Sequence, residues 1–239
     1  MPTRMAGQRL QNPAFVRQNG SWEQSKNTEK IMDELEGYNP DIELRPYNSV
    51  EAMGGEPMWG SGGGHYNFAE NPNVIYVDPV AGGTHVVAHE GGHAVASSDF
   101  NAFTGRGRFG DVEKSDQWIH PSNPHHPYNA PERSGARVRA AHEMFTKPTM
   151  IEEASAQGFA MGLQQKLDIP YTNTAYKHPY DYPHSFGNRT QPMYEFNETQ
   201  GSELNQSEKE EFERLRRSAI PAIDREYKLG FQRAMQGPR

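Results

Sequence analysis

The pentapeptide His89-Glu90-Gly91-Gly92-His93 constrains this chain more than any other feature. Apolar residues flank it on both sides, which predicts that the motif lies on a buried helix. On a helix, His89 and His93 project from one face about one turn apart. Two imidazoles so placed can bind one Zn²⁺ ion at about 2.0–2.1 Å each. Glu90 lies about 100° around the helix, where it can reach a water molecule on the metal without binding the metal itself.

The composition narrows the choice of metal ligands and partners. The 239 residues include no cysteine, so a metal must be held by His, Asp or Glu side chains. The net charge of −7 argues against nucleic acid as the main partner. No apolar run approaches the roughly 18 residues of a transmembrane helix, so we expect no membrane span.

Residues 1–24 are polar and predict a flexible N-terminal leader. Arginines stand at positions 4, 9 and 17, and the first 18 residues contain neither an acidic residue nor a continuous apolar stretch. The segment is therefore no Sec signal peptide. It is either a soluble leader or an address for a specialised secretion route, and composition does not distinguish the two. Residues 25–239 are predicted to form one domain with a charged, mostly helical tail that Pro221 interrupts.

The remaining pattern predicts an α+β fold: a small twisted sheet over the motif helix, a second ligand-bearing helix, and long loops. The Gly-rich segment 54–64 lacks the Lys-Ser/Thr ending of a phosphate-binding loop. We predict strands at 41–47 and at 74–77, and an irregular segment at 98–131. We predict helices at 26–36, 84–96, 131–145, 149–167 and 208–235.

A catalytic zinc site needs a third protein ligand, and Glu153 is the stronger candidate. Glu152 and Glu153 open the helix predicted at 149–167. Helical phase puts Glu153 and Gln157 on one stripe and turns Glu152 about 100° away. Gln157 is then placed to hydrogen-bond a ligand histidine. The structural alternative is that both acids only complement the helix dipole.

Asp99 is the other candidate for the third ligand. Six residues after His93, it completes a pattern close to that of the metzincins, His-Glu-x-x-His-x-x-Gly-x-x-His/Asp. Those proteases need glycine where this chain has Ala96, because the chain leaves the helix there. A non-glycine residue in the left-handed conformation costs about 1–2 kcal/mol, which weakens this alternative.

The strand Val74–Val77 with Asp78-Pro79, the motif helix and the segment Ile151–Gly158 together resemble gluzincin-like zinc metalloproteases. The resemblance is to effectors that bacteria inject into other cells, and it covers roughly residues 72–165 with gaps. It implies zinc ligands at His89, His93 and Glu153, a general base at Glu90, and hydrolysis of a protein or peptide substrate. It also implies a secreted effector or toxin; a cytoplasmic protease is the alternative. Gly91-Gly92 departs from the bulkier pair usual in this helix.

Further histidines and tyrosines are candidates for roles next to the metal. His85 lies one turn before His89 and is expected to be a polar neighbour, since a fourth ligand would close the site. Zincins usually carry a Tyr or His donor that stabilises the tetrahedral oxyanion, and the Tyr/His/Pro segment after the second helix either supplies it or is an aromatic loop packed on the surface. The candidates are Tyr176, His178, Tyr180, Tyr182 and His184. A protein of a different class, a non-enzymatic component of a secretion or phage particle with a structural or vestigial metal site, is the alternative to an enzyme.

Overall fold

The computed structural model describes residues 12–46, 64–66, 73–80, 82–104, 147–171 and 206–238. Their strands are β1 Phe15–Gln18, β2 Ser21–Gln24, β3 Glu43–Pro46, β4 Gly64–Tyr66 and β5 Val74–Val77. Their helices are α1 Lys26–Glu36, α2 Thr84–Thr104, α3 Lys147–Lys166 and α4 Gln206–Gln236. The mixture of helices with two small sheets confirms the α+β class. The helix predicted at 131–145 lies outside the described residues. None of the helices in the described residues is long and apolar enough to cross a bilayer.

The strands form a hairpin and a separate three-stranded sheet. Strands β1 and β2 pair antiparallel around Asn19 and Gly20, whose φ angles of 49° and 87° give the left-handed turn that an Asn-Gly pair favours. In the second sheet β5 lies in the centre, parallel to β3 and antiparallel to β4. The bounds of β5 match the strand predicted at 74–77.

The main core lies where β5 meets the helices. Ile75 and Val77 of β5 are fully buried, as are Ile31 and Leu35 of α1. The core continues through Val86, Val87 and Ala88 of α2 into Phe159 and Leu163 of α3. The predicted amphipathic helix at 26–36 is confirmed, with Ser25 as its N-cap.

The hairpin belongs to this core, although its residues fall in the segment predicted as a flexible leader. Ala14 and Phe15 are buried, and the Thr28 hydroxyl donates to the Ala14 carbonyl at 2.8 Å. The polar sequence of the hairpin conceals this contact, because only Ala14 and Phe15 turn inward. Residues 12–24 therefore pack with the domain that was predicted to begin at residue 25, and residues 1–11 lie outside the described residues.

Helix α3 contacts α2 on one side and α4 on the other. Helix α4 continues through Pro221, contrary to the interruption predicted there. Ala219 and Ile223, on either side of the proline, are buried against Ala154 of α3. This packing outweighs the hydrogen bond that the proline removes.

Candidate metal centre

Helix α2 holds the motif as the sequence predicts. Val86, Val87 and Ala88 before the motif and Ala94 and Val95 after it are buried, which fixes the rotation of the helix. His89 and His93 therefore lie on one face with their rings 4.9 Å apart. Their side chains are largely buried, with 17% and 12% of the surface exposed.

The two glycines inside the motif allow neighbouring elements to approach α2 closely. A methyl group at Gly91 would lie 2.6 Å from a Leu35 side-chain carbon. One at Gly92 would lie 2.7 Å from the Ala156 carbonyl oxygen in the backbone of α3. The departure from a bulkier pair is therefore explained by packing. The second contact also brings α3 near enough for its side chains to reach the histidines.

Glu153 of α3 completes a group of three converging donors with His89 and His93. The His89 Nε2 atom lies 3.1 Å from Glu153 Oε2 and 3.2 Å from His93 Nε2, and the remaining pair, His93 Nε2 to Glu153 Oε2, is 3.7 Å apart. These three residues form a group that could hold a metal ion.

The distances between the three donor atoms are close to those in a tetrahedral coordination site. A tetrahedral site with bonds of about 2.0–2.1 Å separates its ligand atoms by about 3.3–3.4 Å. The three distances, 3.1, 3.2 and 3.7 Å, bracket that value. A single point about 2 Å from all three atoms therefore lies slightly out of their plane, as a tetrahedral ion does. The donor set, two imidazoles and a carboxylate, suits a first-row transition metal.

The electrostatics of the three-donor group also favour a bound cation. Burial disfavours charge on His93, but the carboxylates of Glu153 and Glu152 outweigh it and hold the His93 pKa well above its usual value. Burial would raise the Glu153 pKa, yet His93 and His89 hold it well below the usual value. A proton on His93 thus supplies positive charge that a metal ion can replace.

Each of the two histidines has a second hydrogen-bonding or charged partner on α3. His89 Nδ1 lies 3.1 Å from Gln157 Oε1, the contact expected from helical phase. His93 Nδ1 lies 3.5 Å from Glu152 Oε1. The prediction that Glu152 turns away was wrong, because the histidines lie one turn apart and consecutive acids of the crossing helix reach different rings. Carboxylates and amides behind ligand histidines orient the ring and raise its basicity.

Asp99 lies within α2, which continues without a break from Thr84 to Thr104. The chain therefore does not leave the helix at Ala96, as the metzincin pattern requires. The same helix replaces the first seven residues of the irregular segment predicted at 98–131. The backbone course thus removes the main structural condition for Asp99 as the third ligand.

His85 lies beside the site, and it is absent from the group of three donors in the described residues. Burial, with a smaller contribution from His89, lowers its pKa to about 4, so the ring is neutral at pH 7. Its ring and that of Tyr171 lie in a T-shaped arrangement with centroids 6.2 Å apart. The five candidates for the oxyanion donor, from Tyr176 to His184, lie outside the described residues.

Tyr171 is a neighbour of the site that the sequence did not indicate. Its hydroxyl accepts a hydrogen bond of 2.8 Å from Gln157 Nε2. Its position after the helix was the only available signal, and that position alone does not show that the chain folds back. Comparisons with known protein families, curated proteins and solved structures found no match for this chain.

Proposed function

We propose that this protein is a zinc-dependent metallopeptidase with ligands His89, His93 and Glu153 and with Glu90 as general base. The observation that carries the proposal is the convergence of three donor atoms at tetrahedral spacing, with a glutamate directly after the first histidine. Among the described residues the group has three donors. A catalytic zinc site has three protein ligands, because its fourth position is kept for water or substrate.

The chemistry divides between the ion and the chain. When bound, zinc would polarise the scissile carbonyl and lower the pKa of the attacking water to near 7. Glu90 takes the proton from that water and returns it to the leaving amine. Glu90 suits this task because its backbone position is rotated away from the face that His89 and His93 share.

A strand beside Glu90 supports a peptide as the substrate. Strand β4 pairs with β5 on one side and is the last strand of its sheet among the described residues. A methyl group on Gly64, at the start of β4, would lie 3.1 Å from Glu90 Cγ. An extended peptide can add to such a strand edge through backbone hydrogen bonds, which would hold it next to the general base.

The test is a proteome-wide cleavage comparison between the wild type and Glu90→Gln. We expect cleavages by the wild type that fall by about 10²–10⁴-fold in the variant, with zinc content and thermal midpoint unchanged. Glu34→Gln is the matched control, since Glu34 is a partly buried carboxylate paired with Lys166. Identical profiles from wild type and Glu90→Gln, with zinc bound, would indicate a non-enzymatic metal protein.

Delivery to another cell by a non-Sec route is part of the same proposal and rests on the arginines and missing acids of the first residues. Deleting residues 2–11 leaves Ala14 and Phe15 in place and should preserve the thermal midpoint while preventing export from the native cell. Unchanged export would favour a cytoplasmic protease.

A further inference from the structure

Gln157 and Tyr171 form a chain of hydrogen bonds that ends on a ligand of the proposed metal site. The Gln157 amide oxygen lies 3.1 Å from His89 Nδ1, and its amide nitrogen donates to the Tyr171 hydroxyl at 2.8 Å. Gln157 is 3% exposed, so bulk water does not compete strongly for these bonds. We propose that Tyr171 and Gln157 are positioning residues that hold His89 with its proton on Nδ1 and Nε2 turned to the metal.

The chemistry of the amide explains why its orientation matters. A glutamine oxygen can only accept, so the imidazole nitrogen facing it must carry the proton. Nε2 of the same neutral ring then keeps the lone pair that a metal needs. A reversed amide would donate to Nδ1 and leave the proton on Nε2, where it would block the metal. With its nitrogen donating to the Tyr171 hydroxyl, the Gln157 amide keeps its oxygen facing His89 Nδ1.

Tyr171 is held in place by the turn that follows α3. Asp168 adopts a left-handed conformation with φ of 54°, and the buried Ile169 donates its backbone N–H to the Gln164 carbonyl at 2.9 Å. The Asn12 side chain donates to the Pro170 carbonyl at 3.1 Å. The Asn12 backbone carbonyl also accepts from the first residue of α2, Thr84, at 3.0 Å. The residue before Tyr171 is thus fixed relative to the helix that carries His89.

The two ligand histidines are therefore supported differently. His93 faces the carboxylate of Glu152, whereas His89 faces a neutral amide backed by a phenol. A carboxylate raises the basicity of a ligand imidazole more than an amide does. A carboxylate placed at residue 157 should accordingly strengthen metal binding instead of weakening it.

This inference rests on the proposed metal site, and the test separates the two. Zinc affinity is measured by competition with a chromophoric chelator. Gln157→Leu should weaken binding by about 10–100-fold, the usual loss for a residue behind a ligand. Tyr171→Phe should weaken it by about 2–10-fold, the value of one neutral hydrogen bond. Gln157→Glu should tighten it, an outcome that misfolding does not mimic. Tyr38→Phe is the control, because it removes a hydroxyl that donates to the Arg233 carbonyl away from the site.

A second measurement detects the proton itself. In ¹⁵N-labelled, zinc-loaded protein, the His89 Nδ1–H resonance should exchange slowly with water in the wild type and in Tyr38→Phe. It should exchange faster in Tyr171→Phe and be lost in Gln157→Leu. Unchanged affinity and exchange in both site variants, or weaker binding by Gln157→Glu, would overturn the positioning role while leaving the metal site intact. Absence of zinc binding by the wild type would instead overturn the proposed function, and this inference with it.

Discussion

Helix α3 contacts a helix on each side, and the two contacts are both close, the one with α4 more so, but they are chemically different. Towards α2, Gly92 meets the backbone of Ala156, and the polar side chains of the site occupy the neighbouring turns. Towards α4, Gly158 faces the Tyr227 carbonyl, and the neighbouring buried side chains are Ala154, Ala219 and Ile223. The comparison shows that glycine permits close approach in both places, whereas the residues one turn away decide whether the contact can bind a metal.

The largest difference is expected from Glu153→Gln. Loss of a ligand carboxylate should weaken zinc binding by at least about 100-fold, beyond the 10–100-fold typical of residues that only support a ligand. Glu34→Gln removes a carboxylate paired with Lys166 at the other end of α3 and should leave the affinity unchanged. Asp99→Asn should also leave it unchanged. Chelator competition measures all three, and loss of zinc with Asp99→Asn alone would reverse the choice of third ligand.

Two glycine variants, Gly92→Ala and Gly158→Ala, separate the effect of helix packing on stability from its effect on metal binding. Each added methyl group meets backbone atoms of the facing helix, so each should lower the free energy of unfolding by about 1–3 kcal/mol, partly offset by better helix propensity. Gly92→Ala should in addition weaken zinc binding by at least about tenfold, because it moves His89 away from Glu153.

Gly158→Ala should weaken zinc binding less than Gly92→Ala does, because its added methyl group faces α4 rather than the histidines. Chemical denaturation and chelator competition on the same preparations give both quantities. Equal losses of affinity in Gly92→Ala and Gly158→Ala would mean that the α2 contact has no special role in building the site.

The smallest expected effect is a pH dependence confined to the α2 side. The raised pKa of His93 contributes stability that is complete below the unfolded value of 6.5 and is lost as pH rises through the folded value. The thermal midpoint of chelator-treated protein should therefore fall by a few degrees above pH 6.5. Zinc-loaded protein should not show this fall, because the ion supplies the positive charge. Gly158→Ala should keep the wild-type dependence, and the same fall with and without zinc would contradict the electrostatic account.

Local periodicity was sufficient to predict the helices that carry the three candidate metal ligands. The spacing of His89 and His93 places them on one helical face, and the phase of Glu153 and Gln157 predicts which acid approaches them. Glu152 could not be assigned this way, because its contact with His93 depends on how two helices cross. The position of Tyr171 depends on a left-handed turn at Asp168, and the local sequence does not predict that conformation.

The flexible leader, for residues 12–24, and the interruption at Pro221 were wrong for a related reason, whereas the helix predicted at 208–235 is confirmed. Residues 12–24 are mostly polar, and only Ala14 and Phe15 among them are buried, so their composition does not reveal that the stretch packs on the core. The helix-breaking tendency of Pro221 is overridden because buried residues on both sides of it pack against α3. In each case a tertiary contact outweighs the local signal.

X-ray absorption at the zinc edge, on wild-type protein loaded and then dialysed, tests the metal site most directly. The account predicts about one zinc per chain, with two imidazole nitrogens at about 2.0–2.1 Å and oxygen donors completing a shell of four or five. It also predicts that the oxygen contribution decreases in Glu153→Gln. Zinc that is lost on dialysis, or a shell with a single imidazole, would contradict the account.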